Sequence, residues 1–503
     1  MGLVICAAAV SAEPADNTVR LEIKVADAAG EPLPCRVHLR NERGEPQRVA
    51  GQPFWHDHFV CSGDIATELN PGVYDYEVER GPEYERKAGK IECVAGKTTE
   101  LGLTLKRVAN LRQAGWYSGD LHVHRPLEEI EQLMAAEDLD FAPVITWWNN
   151  RNLWKDRAIP RQLTRSFDGH RLYQVMAGED EREGGALLYF GLDRPLDLTG
   201  SKREVPSPMF FVEEARQRNA NVWIDIEKPF WWDVPVWLAS GRMTSIGLAN
   251  NHMCRSSMLA NEAWGKPRDR GRLPDPRGNG FWTQEIYYQL LNSGLRIPPS
   301  AGSASGVLPN PVGYNRIYVH LDKPFTPETW FEALARGQSF VTNGPLLVVK
   351  ANDQLPGATF KAEDGKGLAV NLEIQLTSTD RISRLELIHN GEVVKTIDCS
   401  DELTQQRTVR FTLDEPGWFL VCAVADVEKT FRFASTAPWF VETDAAKHRI
   451  SRRSAQFFLD WTDERIRRVK ANLADEVDLR QVLPWHDRAR TFWAQRVEMA
   501  NAE

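Results

Sequence analysis

The sequence predicts a multidomain α/β plus all-β chain. A mainly parallel sheet or barrel is flanked by two all-β modules and followed by a helical tail. Three patterns lead to this reading. Apolar residues alternate with polar ones at Val19, Leu21, Ile23 and Val25, and again at Leu368, Val370, Leu372, Ile374 and Leu376, the period of half-buried strands. Between these stretches, residues 110–345 alternate short apolar runs with helical stripes. Residues 443–503 space Phe457, Phe458, Trp461, Ile466, Val469 and Leu473 at helical intervals.

Taken in order, residues 1–12 (MGLVICAAAVSA) are apolar and end on small residues. That is a secretory-signal pattern and implies a periplasmic or secreted protein. Residues 13–109 read as a β-sandwich, with a turn at Asp27-Ala28-Ala29-Gly30 and later breaks at Gly63, Pro71-Gly72 and Gly96. The segment Ala95-Gly96-Lys97-Thr98 is not a phosphate loop, because the first glycine of that motif would fall at Ile91. In residues 110–345, Pro126 opens a helix carrying Leu127, Ile130, Leu133 and Met134, and residues 141–146 follow as a strand. Further strands are expected at 174–176, 187–190, 222–226 and 245–248, with helices at 207–219 and 280–292. Residues 346–442 return to strands as a second, Ig-like β-sandwich, with a hairpin turning at Asn390-Gly391. Residues 443–503 form the tail, strapped across the other domains, and Lys447, Arg449, Arg452 and Arg453 read as its solvated start.

Lys and Arg total 61 against 70 Asp and Glu, a net charge of −9, which argues against nucleic acid or an anionic membrane as the main partner. No apolar run beyond the start is long enough to span a bilayer. A small-molecule or carbohydrate-like substrate fits this balance. Cys35, Cys61, Cys93, Cys254, Cys399 and Cys422 are scattered without CxxC pairs, so neither a zinc ribbon nor a dense disulfide scaffold follows. Buried free thiols are expected; spacing alone does not decide whether Cys399 and Cys422 pair. Ten of the 17 Trp fall between Trp116 and Trp282, including Trp147-Trp148 and Trp231-Trp232.

The sharpest chemical signal is Trp116-Tyr117-Ser118-Gly119-Asp120-Leu121-His122-Val123-His124. On a strand, Asp120, His122 and His124 share one face, and two imidazoles so placed converge on one metal ion. Ala177-Gly178-Glu179-Asp180-Glu181 adds carboxylates, with Glu179 and Glu181 on a common face. Two His and one carboxylate leave a coordination position open, as in many catalytic zinc sites. Asp225-Ile226-Glu227-Lys228-Pro229 and Asn250-Asn251-His252 end two further strands. From them Glu227 and His252 are the best additional ligands, and Lys228 or Arg255 suits an anionic group. Ser303 and Ser305 lack both a G-x-S-x-G context and a neighbouring His, which speaks against a serine nucleophile.

"WYSGDLHVH", "AGEDE" and "LLNSGLRIPPSAGSASG" together resemble the CehA/McbA metallohydrolases of the PHP superfamily, over residues 110–345. The resemblance implies a PHP-like distorted (β/α) barrel, divalent metal (Zn, Mn or Fe) and hydrolysis of ester, carbamate or phosphoester bonds. His122 and His124 match the family's HxH ligands, and Glu179 its Gly-Glu ligand. Other ligand positions are altered: Trp147-Trp148-Asn149, Gly184-Gly185, Glu227-Lys228-Pro229 and Gly302-Ser303-Ala304-Ser305-Gly306 stand where the family carries Asp or His. Likewise "D-x-x-G-x-P-L-P … L-x-P-G-x-Y" resembles the carboxypeptidase-regulatory type of β-sandwich and carries no chemistry. The expectation is therefore an exported hydrolase with a reduced, mononuclear site. Its ligands are His122, His124 and Glu179 with His252, its base Glu181 or Glu227, and its stabilising cation Lys228 or Arg255. The rival is a non-catalytic binding protein that takes a sugar or aromatic ligand in a Trp-lined cleft.

Overall fold

The computed structural model describes residues 18–444 and 448–503, so the signal-like segment and Lys447 lie outside the described residues. The described residues form two compact units: residues 18–80 with Glu85–Lys106, and Gly81–Tyr84 with residues 107–444 and 448–503. Several β-sheets and seven α-helices are present among the described residues, and none of those helices is long and apolar enough to cross a membrane.

In the smaller unit, Val19–Ala26 lies between Asp64–Leu69, antiparallel, and Thr98–Thr104, parallel. Its period-two pattern is the cause: Val19, Leu21, Ile23 and Val25 are buried, whereas Arg20 and Lys24 face solvent. A second sheet runs in the order Phe54–Trp55, His58–Cys61, Cys35–Arg40, Gly72–Glu79, Lys87–Cys93.

The larger unit is built on a closed ring of strands. Trp116–Gly119 and the residues following it run parallel to Phe141–Trp148, which runs parallel to Arg171–Arg182. The chain then reverses through Gly184 into antiparallel Gly185–Phe190, which pairs with Trp223–Ile226. Ser245–Ala249 and Pro299–Ala301 follow in parallel. The ring shuts where Leu121 N donates to Ala301 O (3.0 Å) and His124 N donates to Ser305 O (2.8 Å). Its core combines aliphatic residues such as Leu187, Ile224 and Ile246 with Trp147, Trp231 and Trp237.

Helices pack outside the ring. Pro208–Arg218 starts at Ser207, whose Oγ accepts from Met209 N (3.3 Å). Pro327–Ala335 starts at a Thr326–Thr329 capping box. Pro126 is followed by a single tight 3-10 turn, Leu127–Glu129, before Ile130–Ala136 becomes α-helical.

No break in hydrogen bonding occurs near residue 345. Arg316–His320 pairs with Trp116–Gly119 and with Ser339–Thr342, which in turn pairs with Phe433–Thr436. A three-stranded layer, Leu346–Ala351, Leu368–Thr377 and Thr404–Leu413, shares an apolar core with the layer holding Arg384–His389 and Gly417–Val424. The hairpin at Asn390-Gly391 forms with both residues at positive φ (53° and 90°), the conformation a two-residue turn of matching twist requires. The tail is two helices, Arg452–Asn472 and Glu476–Glu498, with Asp475 capping the second.

One close approach positions the site. A Cβ added at Gly178 would meet the Trp147 ring at 1.7 Å. Gly178→Ala is expected to destabilise the fold by about 1–3 kcal/mol, read as a lower urea midpoint, because neither the ring nor the strand has room to yield.

Candidate metal centre

The segment bearing His122 and His124 leaves the sheet ladder after Gly119, three residues before His122. Asp120 causes this: its Oδ1 accepts from the main-chain nitrogens of His122 (3.0 Å) and Ser303 (3.0 Å), and its Oδ2 from Gly313 (2.7 Å). Strand geometry predicted that Asp120 would share the ligand face; it is spent on main-chain donors instead. The strand itself ends at Gly119, with Val123 keeping single bridges to Val144 and Ser305. Gly302 lets that neighbouring segment close in, since a Cβ there would lie 2.5 Å from His122 Cβ.

His122, His124 and Glu179 come together as expected. Their Nε2 atoms stand 2.9 Å apart, and Glu179 Oε2 lies 3.4 Å from His122 Nε2 and 3.1 Å from His124 Nε2. Ligands held about 2.0–2.1 Å from a tetrahedral ion stand roughly 3.3 Å apart, so the spacing fits a single divalent ion. Neither contact to Glu179 Oε2 has hydrogen-bonding geometry, which leaves a buried carboxylate oxygen without a donor. His122 and Glu179 are buried, and His124 keeps partial exposure.

Glu227 stands behind the triad rather than in it. Its Oε1 faces His122 Nδ1 at 3.3 Å and accepts from Asn251 Nδ2 at 2.6 Å, Oε2 accepts from Trp231 Nε1 at 2.8 Å, and Lys228 Nζ binds both oxygens. A carboxylate on Nδ1 fixes the ring and leaves Nε2 for the ion. This corrects two expectations: Glu227 is saturated and not free to act as ligand or base, and Lys228 is bound to it beneath the Trp231 ring (4.5 Å). His252 stays outside the triad as well. Its Nδ1 contacts Asn261 O at 2.9 Å, its ring packs on Phe230, and burial followed by the Lys228 charge holds its pKa at about 3. Arg255 is half-buried, its main chain bound to Asn310 and Arg432. Ser303 Oγ exchanges hydrogen bonds with the main chain of Asn315, a structural role.

Electrostatics divide the titratable groups. Burial opposes charge on His122, but Glu179 and then Glu227 outweigh it and raise its pKa to about 10. Burial likewise opposes charge on Glu179, yet the two imidazoles bring it down to about 2. Glu181 goes the other way: burial, then the charges of Glu179 and Glu227, raise it to about 7. Trp148 Nε1 donates to Glu181 Oε2 (3.2 Å), and the Trp148 ring packs on His124 with centroids 5.0 Å apart. Asn149, in the left-handed region at φ 52°, exchanges hydrogen bonds with the main chain of Glu181.

Glu181 opens onto a cleft of about 550 Å³ lined also by Asn149, Asn150, Lys202, Arg203 and Trp264. Sequence reasoning missed Asn150, Lys202, Arg203 and Trp264 because no local motif marks them. Asn149 carried a signal: Asn just past a strand tolerates positive φ. The tryptophan-lined cleft expected from composition is not what the excess builds. Seven of the ten, Trp116, Trp147, Trp223, Trp231, Trp232, Trp237 and Trp282, are buried, and only Trp264 is exposed, with Trp148 and Trp154 between.

A second group, His38, Asp57 and His58, also has ligand spacing. It does not fit an ion. Asp57 already faces His58 Nδ1 (3.1 Å), His38 Nδ1 (3.3 Å) and the Arg40 guanidinium (2.6 Å), while Arg36 Nε donates to His38 Nε2 (3.1 Å). Because His38 Nε2 accepts, its proton sits on Nδ1, 3.3 Å from Asp57 Oδ2.

No family model and no curated protein matches the chain. Among solved structures, it is similar to the Bacillus anthracis TIE protein at 9% identity over 86% of this chain and 51% of that one, with a TM-score of 0.15, which carries no argument. The chain thus spans about half the length of that protein.

Proposed function

We propose that the chain is a hydrolase of ester, carbamate or phosphoester bonds with a PHP-like barrel of the CehA/McbA type, dependent on one divalent ion. The observation that carries this reading is the convergence of His122 Nε2, His124 Nε2 and a donorless Glu179 Oε2 within 3.4 Å of one another. A Zn, Mn or Fe ion held there supplies Lewis-acid chemistry, acidifying water and polarising the bond to be broken. Glu227 orients His122 through Nδ1, and Lys228 with Asn251 and Trp231 keeps Glu227 in place. Glu181 is the general base. It sits between the triad and the cleft, and a pKa of about 7 suits proton transfer at neutral pH. The substrate enters beside Trp264, Lys202 and Arg203.

As a base Glu181 must be ionised, so activity should fall about tenfold per pH unit along an acidic limb, which the charge of a bound ion sets below the metal-free value of about 7. Glu181→Gln should lower kcat by about 10²–10⁴ and abolish that acidic limb. A panel of carboxyl-ester, carbamate and phosphoester substrates identifies the reaction class. An unchanged acidic limb in Glu181→Gln would remove Glu181 from the reading, and inactivity of the metal-loaded enzyme on all three classes would contradict hydrolysis.

A further inference from the structure

We infer that Cys35 and Cys61 form a disulfide bond that cross-links two neighbouring strands of the smaller unit. Cys35 opens the Cys35–Arg40 strand, Cys61 closes His58–Cys61, and the antiparallel register sets them directly opposite each other. Their Sγ atoms lie 3.7 Å apart, and both side chains are fully buried. Opposed residues on antiparallel strands have Cα atoms roughly 4.5–5.5 Å apart, inside the roughly 4.4–6.8 Å that a disulfide spans. A modest rotation about the two χ1 angles therefore brings the sulfurs to bonding distance without moving the strands.

Three of the other four described cysteines are engaged elsewhere. Cys254 Sγ donates to Asn251 O, Cys422 Sγ accepts from Gln284 Nε2, and Cys399 Sγ contacts Ile397 O. All six described cysteines are free thiols in this structure, so Cys399 and Cys422 are not paired, and the proposed Cys35–Cys61 bond is the oxidised form of the adjacent pair. In the folded sheet the Cys35 thiol, by hydrogen bonding to Cys61, also draws the Cys61 pKa below the ordinary thiol value against the effect of burial.

The oxidant is a disulfide of low molecular weight or of a thiol oxidoreductase. The thiolate of one of the two cysteines attacks it, forming a mixed disulfide and releasing one thiol. The thiolate of the other then attacks the protein sulfur of that mixed disulfide and releases the second. Two protein thiols lose two protons and two electrons, and the oxidant is reduced to two thiols. Because both sulfurs are buried in the folded sheet, exchange takes place while the strands are still closing.

The test is refolding the full chain from denaturant in a reduced/oxidised glutathione buffer. An acid quench, denaturing alkylation and peptide mapping by mass spectrometry follow. The expected result is a peptide pair joined through Cys35 and Cys61, about 2 Da lighter than the two thiol peptides, with Cys93, Cys254, Cys399 and Cys422 alkylated. Cys35→Ser should leave Cys61 alkylated. Full alkylation of both Cys35 and Cys61 in the refolded wild-type chain, or Cys61 joined to a different cysteine, would overturn the inference without recourse to any variant.

Discussion

Arg465→Ala is expected to lower the unfolding free energy by about 3–5 kcal/mol, the usual cost of stranding buried charges. Arg465 lies on the first tail helix, almost wholly buried, with Nε on Asp233 Oδ1 (2.6 Å) and its two terminal nitrogens on Glu204 (3.0 and 2.6 Å). Asn472 adds a bond to Glu204 and His486 faces Asp233 at 3.3 Å. Glu204 follows cleft residues Lys202 and Arg203, and Asp233 follows Trp231 and Trp232, so the tail fixes two loops beside the site. Urea denaturation at pH 7 measures the loss. The pH dependence gives a second readout. Burial alone would raise Asp233, but Arg465 and His486 hold its carboxyl well below the usual range. Its contribution is thus present above the unfolded value of about 4 and fades as pH falls through the folded pKa. Arg465→Ala should flatten that acid-side loss; an unchanged slope and a loss below about 1 kcal/mol would mean the network is not the clamp.

His122→Ala should weaken metal binding at least about 10²-fold, more than the loss of an outer partner such as Glu227. Glu227 keeps Lys228, Asn251 and Trp231 when the imidazole is removed, so the variant retains a satisfied carboxylate and should fold. A linked effect follows from protonation. Without an ion, His122 is an imidazolium up to pH about 10, held by Glu179 and Glu227. Ligation needs neutral Nε2, so each ion bound between pH about 8 and 9, where Glu181 is already ionised, should release about one proton, and affinity should rise about tenfold per pH unit. Isothermal titration calorimetry in buffers of different ionisation enthalpy counts that proton. Binding that releases none would show that His122 is not a ligand.

Much of the larger unit was legible because its signals are local. The strands at 187–190, 222–226 and 245–248 are apolar runs bounded by turn residues, and Ser207-Pro208 announces a helix start. HxH and Gly-Glu marked three side chains that do converge, since residues two apart on one chain need only the right backbone. What escaped depends on contacts distant in sequence. The demotion of Glu227 from ligand to His122 partner required Asn251 and Trp231 to close on it from two loops. The continuity of the sheet past residue 345 rests on Ser339–Thr342 finding Phe433–Thr436, a pairing no window reveals. The tryptophan excess misled for a physical reason. A large indole serves a barrel core as readily as a cleft, and Gly178 and Gly185 give the Trp147 and Trp231 rings their room.

The most direct test is elemental analysis of chelator-stripped protein after dialysis against Zn²⁺, Mn²⁺ or Fe²⁺, with Glu179→Gln treated alongside. The triad predicts about one ion per wild-type chain for at least one metal, and little in the variant. Less than about a tenth of an ion per chain for every metal, or equal occupancy in wild type and variant, would contradict it.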